Sequence, residues 1–266
     1  MRNLLTRSAS GFVYVTLFIF AILYGAESYI ALTSIFGAIC IYEFSKLIQS
    51  KNSIPYLLLI GMIYFFIYPI EVTIFDFVFG FSIVGLFILI YLLLSSKKIK
   101  IETFLQKLFL HIIYLILPFY YLLSIPFIFE DYQSTIVICI LIFIWVNDSF
   151  AYLVGKNFGK RKLFESVSPK KTIEGFIGGW VFSLIAAFII SKQYDETTIS
   201  LLDWIIIASI LSIFGTIGDL IESKFKRQAN IKDSGTIMPG HGGLLDRLDS
   251  LFFAAPFVYL YLYYII

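Results

Sequence analysis

The residues best able to do chemistry lie in the last fifth of the chain. Asp219 and Glu222 are three positions apart, as are Asp246 and Asp249, so each pair shares one face of a helix. Between the pairs come the bases Lys224, Lys226, Arg227 and Lys232, then the turn Pro239-Gly240-His241-Gly242-Gly243. Two converging carboxylate pairs suit a hard divalent cation, and Mg²⁺ is favoured where phosphates complete the coordination. Glycines let backbone N–H groups come close to an anion. Together these features describe a polyphosphate site. Glu222 on its own reads as structural. His241, flanked by glycines, has three open roles: a phosphate contact, a proton shuttle or a structural one.

A second polar stretch, Asn147 to Gly175, holds Asn147-Asp148 and Ser168-Pro169-Lys170-Lys171-Thr172-Ile173-Glu174-Gly175. Ser168 followed by Pro169 reads as the N-cap and first residue of a helix. A helix start flanked by Lys170 and Lys171 is an anion site. Asp148 lies in an apolar segment and needs either a base or a metal as partner. His111 sits among apolar residues and reads as a packed or interhelical hydrogen-bonding group.

The elements that hold these residues are membrane helices. Of 266 residues, 59% are hydrophobic and 14% charged, against about 25% charged in soluble domains; the mean hydropathy is +0.90. Long apolar blocks match a hydrocarbon layer about 30 Å thick, and their continuity excludes the alternation of a membrane β-barrel. The expected fold is all-α, a single polytopic domain over 1–266, with nine spans near 10–25, 29–48, 55–70, 72–94, 104–129, 134–155, 173–191, 201–222 and 250–266. Pro118 and Pro126 mark the fifth for a kink.

Charge sets the orientation. Arg2 and Arg7, Lys46 and Lys51, Lys97 to Lys107, Lys156 to Lys171 and Lys224 to Arg247 fall on one side. Glu27, Glu71, Glu130/Asp131 and Asp195/Glu196 fall on the other, with Lys192 the one base out of place. Basic residues mark the cytoplasmic side. The N-terminus is therefore expected inside, with the segments 147–175 and 218–250 together on the cytoplasmic face. Cys40 and Cys139 lie in separate apolar blocks without metal-ligand spacing. The run Gly11–Tyr24 after Arg2 and Arg7 lacks a clear cleavage site and reads as an uncleaved first helix.

The stretch Ser223-Lys224-Phe225-Lys226-Arg227, Lys232-Asp233-Ser234-Gly235 and Pro239-Gly240-His241-Gly242-Gly243-Leu244-Leu245-Asp246-Arg247-Leu248-Asp249 resembles the signature of the phosphatidate cytidylyltransferase (CDP-diacylglycerol synthase) family. Asn147-Asp148, Ser168-Pro169-Lys170-Lys171-Thr172 and Glu174-Gly175 resemble that family's other recurrent stretch. The resemblance implies transfer of a cytidylyl group from CTP to phosphatidic acid at the inner membrane. It also implies Mg²⁺ held by Asp219 and Asp246 with Asp249 and Asp148 in support, a second, monovalent cation nearby, and a homodimer. On that reading Lys226, Arg227, Lys232 and Arg247 meet phosphates, Lys170 and Lys171 the nucleotide or the lipid headgroup, and no nucleic-acid partner is expected. Rival readings are another CTP-dependent lipid enzyme, such as a polyprenol or phytol kinase, and a transporter. A transporter places its polar residues at the bilayer midplane, whereas here they gather on one face.

Overall fold

A computed structural model of the chain describes residues 2–68, 72–95, 98–129, 131–193, 199–240 and 242–266, with backbone alone for 2–8, 72–77 and 79. His241, and Glu71, Lys97, Glu130, Asp195 and Glu196 of the connecting segments, lie outside them. Nine helical segments run through the described residues: α1 (Arg2–Tyr24), α2 (Ala26–Leu47), α3 (Ile54–Ile67), α4 (Val72–Leu94), α5 (Phe104–Phe127), α6 (Ser134–Phe158), α7 (Ile173–Ser191), α8 (Leu201–Gln228) and α9 (Leu245–Tyr264). Five of them (α2, α5, α6, α7 and α8) are long and apolar enough to cross a membrane. Bulky residues such as Phe12, Leu57, Tyr91 and Leu105 stand exposed along the helices, in numbers that suit a lipid-facing surface better than a water-soluble one. The protein is an all-α integral membrane protein.

Helix α5 departs from α geometry at both places where proline acts. Ile112–Ile116 is a π-helical turn in which the Leu117 N–H reaches Ile112 O, just before Pro118. Pro126 lies in a 3₁₀ turn, Ile125–Phe127. His111, at the start of the π turn, is buried. Its Nε2 lies 2.8 Å from Ser45 Oγ and its Nδ1 2.7 Å from Lys107 O, the packed interhelical role expected of it.

The sequence underestimates three helices. Helix α1 begins at Arg2 rather than near 10, α8 continues to Gln228, and α9 begins at Leu245 rather than 250. The apolar pattern marks only what lipid can hold. The polar end of α8 continues as helix because it is buried against protein, with Glu222, Ser223, Lys224 and Lys226 all in the interior.

The segment 168–172 corrects a second expectation. Ser168–Thr172 is strand β2, paired antiparallel with β1 (Lys162–Phe164), and Ser168 caps nothing. The cap of α7 is Thr172, whose side chain accepts from Gly175 N at 3.1 Å. The hairpin keeps Pro169 off the ladder's paired positions, Lys162 with Thr172 and Phe164 with Ser168, as an edge proline must be.

Glycines bring the site-bearing helices together. A Cβ at Gly179 would stand 2.5 Å from Asn147 O, and one at Gly175 2.7 Å from Ala151 O, so α7 meets α6 backbone to backbone. Gly218 does the same for α8 and α9, with Phe253 Cβ at 2.5 Å and Asp249 O at 2.7 Å from its missing methyl. Small residues at membrane-helix crossings have this use.

Lys224 serves the fold. Its ammonium donates to Leu92 O, to Leu93 O at 3.3 Å and to Ser95 O at 2.6 Å, closing the C-terminal end of α4. The helix dipole favours a cation there. Lys224→Ala is expected to lower stability by about 1–3 kcal/mol through these lost bonds, read as a lower melting temperature in detergent. An unchanged melting curve would contradict the assignment.

Candidate active site

The two polar segments converge. A cavity of about 960 Å³ is lined by Asn147, Asp148 and Lys156 of α6, Lys162 of β1, and Lys170, Lys171 and Thr172 of β2. Asp219 of α8 and Asp246, Arg247 and Asp249 of α9 complete its polar wall. Gly11, Tyr14 and Val15 of α1, with Trp145, Tyr152 and Phe176, form an apolar wall. The volume is at the upper end of the roughly 300–1,000 Å³ typical of small-molecule sites.

Lys171 and Asp219 join the two segments by an ion pair of 2.6 Å, and Ser223 Oγ donates to the other Asp219 oxygen at 3.2 Å. Burial disfavours the Lys171 ammonium, but the charge and hydrogen bond of Asp219, with Asp148 and Asp249 beyond, outweigh it and raise its pKa above that of a free lysine. Lys171 is therefore a fixed cation on the cavity wall. Asn147 Nδ2 donates to Asp148 Oδ1 at 3.3 Å.

Behind this wall lies a network that the sequence reading divided differently. Lys226 Nζ donates to Asp246 Oδ1 and to Glu222 Oε2, each at 2.6 Å. Glu222 is fully buried, and its Oε1 has no hydrogen-bond partner among the described residues. Glu222, read as structural in isolation, is thus bound to the same cation as a cavity-lining carboxylate. The other Asp246 oxygen accepts from Ser234 N at 2.9 Å, Ser234 Oγ at 3.0 Å and Gly243 N at 2.8 Å.

The glycine-rich turn is wrapped around the protein's own carboxylates. Met238 and Gly242 exchange backbone hydrogen bonds of 3.0 and 3.2 Å across the turn, and Gly242 has φ +93°, a conformation natural to glycine. A Cβ at Gly243 would lie 2.1 Å from Ser234 Oγ and 2.6 Å from Glu43 Oε2, and one at Gly242 2.7 Å from Asp246 Oδ2. The anions met by this backbone are therefore Asp246 and Glu43. Ser10 Oγ of α1 donates to Pro239 O at 3.0 Å and ties the turn to the first helix.

Several expected site residues stand away from the cavity. The Arg227 guanidinium donates to Val167 O and Ile231 O, each at 3.3 Å, and fastens the β hairpin to the end of α8. Glu174 accepts from Lys160 N at 3.0 Å and Arg161 N at 3.1 Å, holding the entry to β1. Ser168 lies in β2 outside the lining, while Lys232 and Asp233 are exposed on the connection from α8 to α9. Arg247, by contrast, is both exposed and on the cavity wall.

The donor set around the cavity is carboxylate-rich, as a hard divalent cation requires. Asp148, Asp219, Asp246 and Asp249 all face one cavity, and Asn147 Oδ1 beside them is buried without a hydrogen-bond partner among the described residues. No three Asp, Glu, His or Cys side chains among the described residues group closely enough to hold an ion alone. Such a set fits Mg²⁺ that takes its remaining ligands from phosphate and water.

Comparison with known proteins adds to this geometry. A model of the cytidylyltransferase family matches residues 5–265. The phosphatidate cytidylyltransferase of Bacillus subtilis (strain 168) is 34% identical over 265 residues, spanning 97% of each chain. Those of Staphylococcus saprophyticus and Staphylococcus aureus (strain COL) are 49% identical over 113 residues and 50% over 115, in each case 42% of this chain and 43% of theirs.

Proposed function

The chain belongs to the cytidylyltransferase family, and we propose that the cavity between α1, the β hairpin and α6 to α9 is where it transfers a cytidylyl group from CTP to phosphatidate, releasing pyrophosphate and leaving CDP-diacylglycerol in the membrane. The observation that carries this reading is the composition of one cavity wall. Lys156, Lys162, Lys170, Lys171 and Arg247 line it together with Asp148, Asp219, Asp246 and Asp249, and Gly11, Tyr14, Val15 and Trp145 add apolar surface to the same cavity.

The reaction asks little covalent chemistry of the protein. A phosphate oxygen of phosphatidate is already a nucleophile; it bonds to the α-phosphorus of CTP as the bond from that phosphorus to the bridging oxygen breaks, and the electron pair leaves with pyrophosphate. Catalysis is then positioning and charge neutralisation. Lys171, held cationic by Asp219, and Arg247 supply fixed positive charge from opposite segments. Lys170 and Lys162 lie on the hairpin, where they steer the triphosphate or the lipid headgroup. Asp219 and Asp246, supported by Asp249 and Asp148, are the residues that would hold Mg²⁺. The ion, when bound, supplies neutralisation of charge on the polyphosphate oxygens. Gly11, Tyr14, Val15 and Trp145 offer the acyl chains an apolar side, so that only the headgroup meets the charged wall. The distribution of Lys and Arg supports a cytoplasmic site.

The test is product formation by purified protein in liposomes with CTP, Mg²⁺ and phosphatidate, beside reactions in which diacylglycerol or a polyprenol replaces phosphatidate. A CDP-lipid and pyrophosphate formed only with phosphatidate are expected. Release of CDP with phosphorylation of the alcohol would instead make the same cavity that of a lipid kinase.

A further inference from the structure

Glu43 lies on α2, a helix that contributes nothing to the cavity wall, yet it is buried with both carboxylate oxygens in use. Oε1 accepts from Leu244 N at 3.2 Å, and Oε2 accepts from Leu245 N at 2.8 Å and Ser234 Oγ at 3.3 Å. Leu244 and Leu245 open α9, the helix that carries Asp246, Arg247 and Asp249, and that helix has no side-chain cap of its own. The first N–H groups of any helix lack intrahelical partners, and a carboxylate is the group best suited to them.

No cation pairs with Glu43 among the ion pairs of the described residues. Among the described residues its carboxylate is met by two helix-start amides and one hydroxyl. The backbone is fitted closely to it: a Cβ at Gly235 would stand 2.2 Å from Oε1, and one at Gly243 2.6 Å from Oε2. Ser234 Oγ touches both Glu43 Oε2 and Asp246 Oδ2, so the two carboxylates share one hydroxyl. Glu43 is therefore one step removed from a residue on the cavity wall.

We infer that Glu43 is a positioning residue for the transfer reaction: a cap supplied by α2 that fixes the start of α9, and with it Asp246 and Arg247, against α8. The inference rests on the cytidylyl-transfer reading of the cavity. A buried carboxylate serving only stability would be replaceable by a neutral isostere with little consequence for turnover. A carboxylate that sets the helix start is not, because the amide of glutamine turns a donor toward amides that need an acceptor.

The experiment is Glu43→Gln in the full-length protein, compared with wild type by melting temperature, steady-state kinetics and amide hydrogen exchange. The expected result is a fall in kcat per folded molecule of about 10–100-fold, the range seen when outer partners of a functional group are removed, beside the lowered melting temperature that an unmet buried amide causes. The KM for phosphatidate stays within about threefold, since the apolar wall is not moved. Leu244 and Leu245 amides exchange faster, while those of the later turns of α9 do not. Should Glu43→Gln fail to fold, Ser234→Ala, which removes only the hydroxyl between Glu43 and Asp246, is expected to lower kcat with Leu244 and Leu245 exchange unchanged, and a wild-type kcat in that variant overturns the positioning role. Wild-type kcat together with wild-type exchange at Leu244 and Leu245 overturns the positioning role. So does a loss of activity that only tracks the fraction of folded protein. A wild type that forms no CDP-lipid overturns the reading of the cavity, and the exchange measurement still decides whether Glu43 holds the helix start.

Discussion

Asp219→Asn is expected to reduce cytidylyl transfer by about 10²–10³-fold, the scale reached when one preorganised electrostatic group is removed, while the protein still folds. Asp219 faces the cavity and is paired at 2.6 Å with Lys171, and both side chains remain about a third exposed. An ion pair so placed contributes at most about 1 kcal/mol to stability. The asparagine keeps the shape but loses the charge for a divalent cation, and it releases Lys171 from its fixed position. Asp246 is the less clean target, because its oxygens also accept from Lys226, Ser234 and Gly243, so Asp246→Asn disturbs the loop as well as the site. The measurement is CDP-lipid formation over a Mg²⁺ titration, with thermal melting alongside. Activity within tenfold of wild type at saturating Mg²⁺ would remove Asp219 from the proposed metal centre.

The second large effect concerns stability. Lys226→Met is expected to cost about 3–5 kcal/mol, the penalty for leaving buried charge without its partner. The ammonium lies at 2.6 Å from both Glu222 and Asp246, and Glu222 is wholly enclosed. Methionine fills much of the volume of the lysine stem, so the loss is electrostatic and not a cavity. Adding Glu222→Gln should recover part of it, because the carboxylate with no other cation is then neutral. A double-mutant cycle read by unfolding in detergent gives the coupling. If Lys226→Met melts with wild type, or if the two substitutions are strictly additive, the three groups do not form the compensated cluster described.

Residue types and their order already contain the solvent, the helices and the two segments that form the site. The apolar blocks are too long and too poor in charge for water, and their interruptions alternate between basic and acidic. Asp148, Asp219, Asp246 and Asp249 were legible as candidate site residues because charged groups at membrane depth carry a cost that only a function or a partner offsets; Lys170, Lys171, Thr172 and Arg247 came from the basic pattern and the family resemblance, and all eight line the cavity. The charged ends of α8 and α9 were harder to place, since hydropathy cannot separate a loop in water from a helix end buried in protein.

Other features depended on which backbone meets which side chain, and no residue type records that. Gly242 and Gly243 have the same signature whether the anion beside them is a ligand or a carboxylate of the chain, and the fold puts Asp246 and Glu43 there. Ser168-Pro169 and Thr172 are both plausible helix starts; pairing of Lys162 with Thr172 decided for the second. Glu43 left no trace to read, because its partners are main-chain amides about two hundred residues away, and every residue but proline has one. Composition and spacing therefore determined the medium and the chemistry, whereas the tertiary structure alone decided which charges face the cavity and which hold it in shape, because burial and pairing are properties of contacts between distant segments.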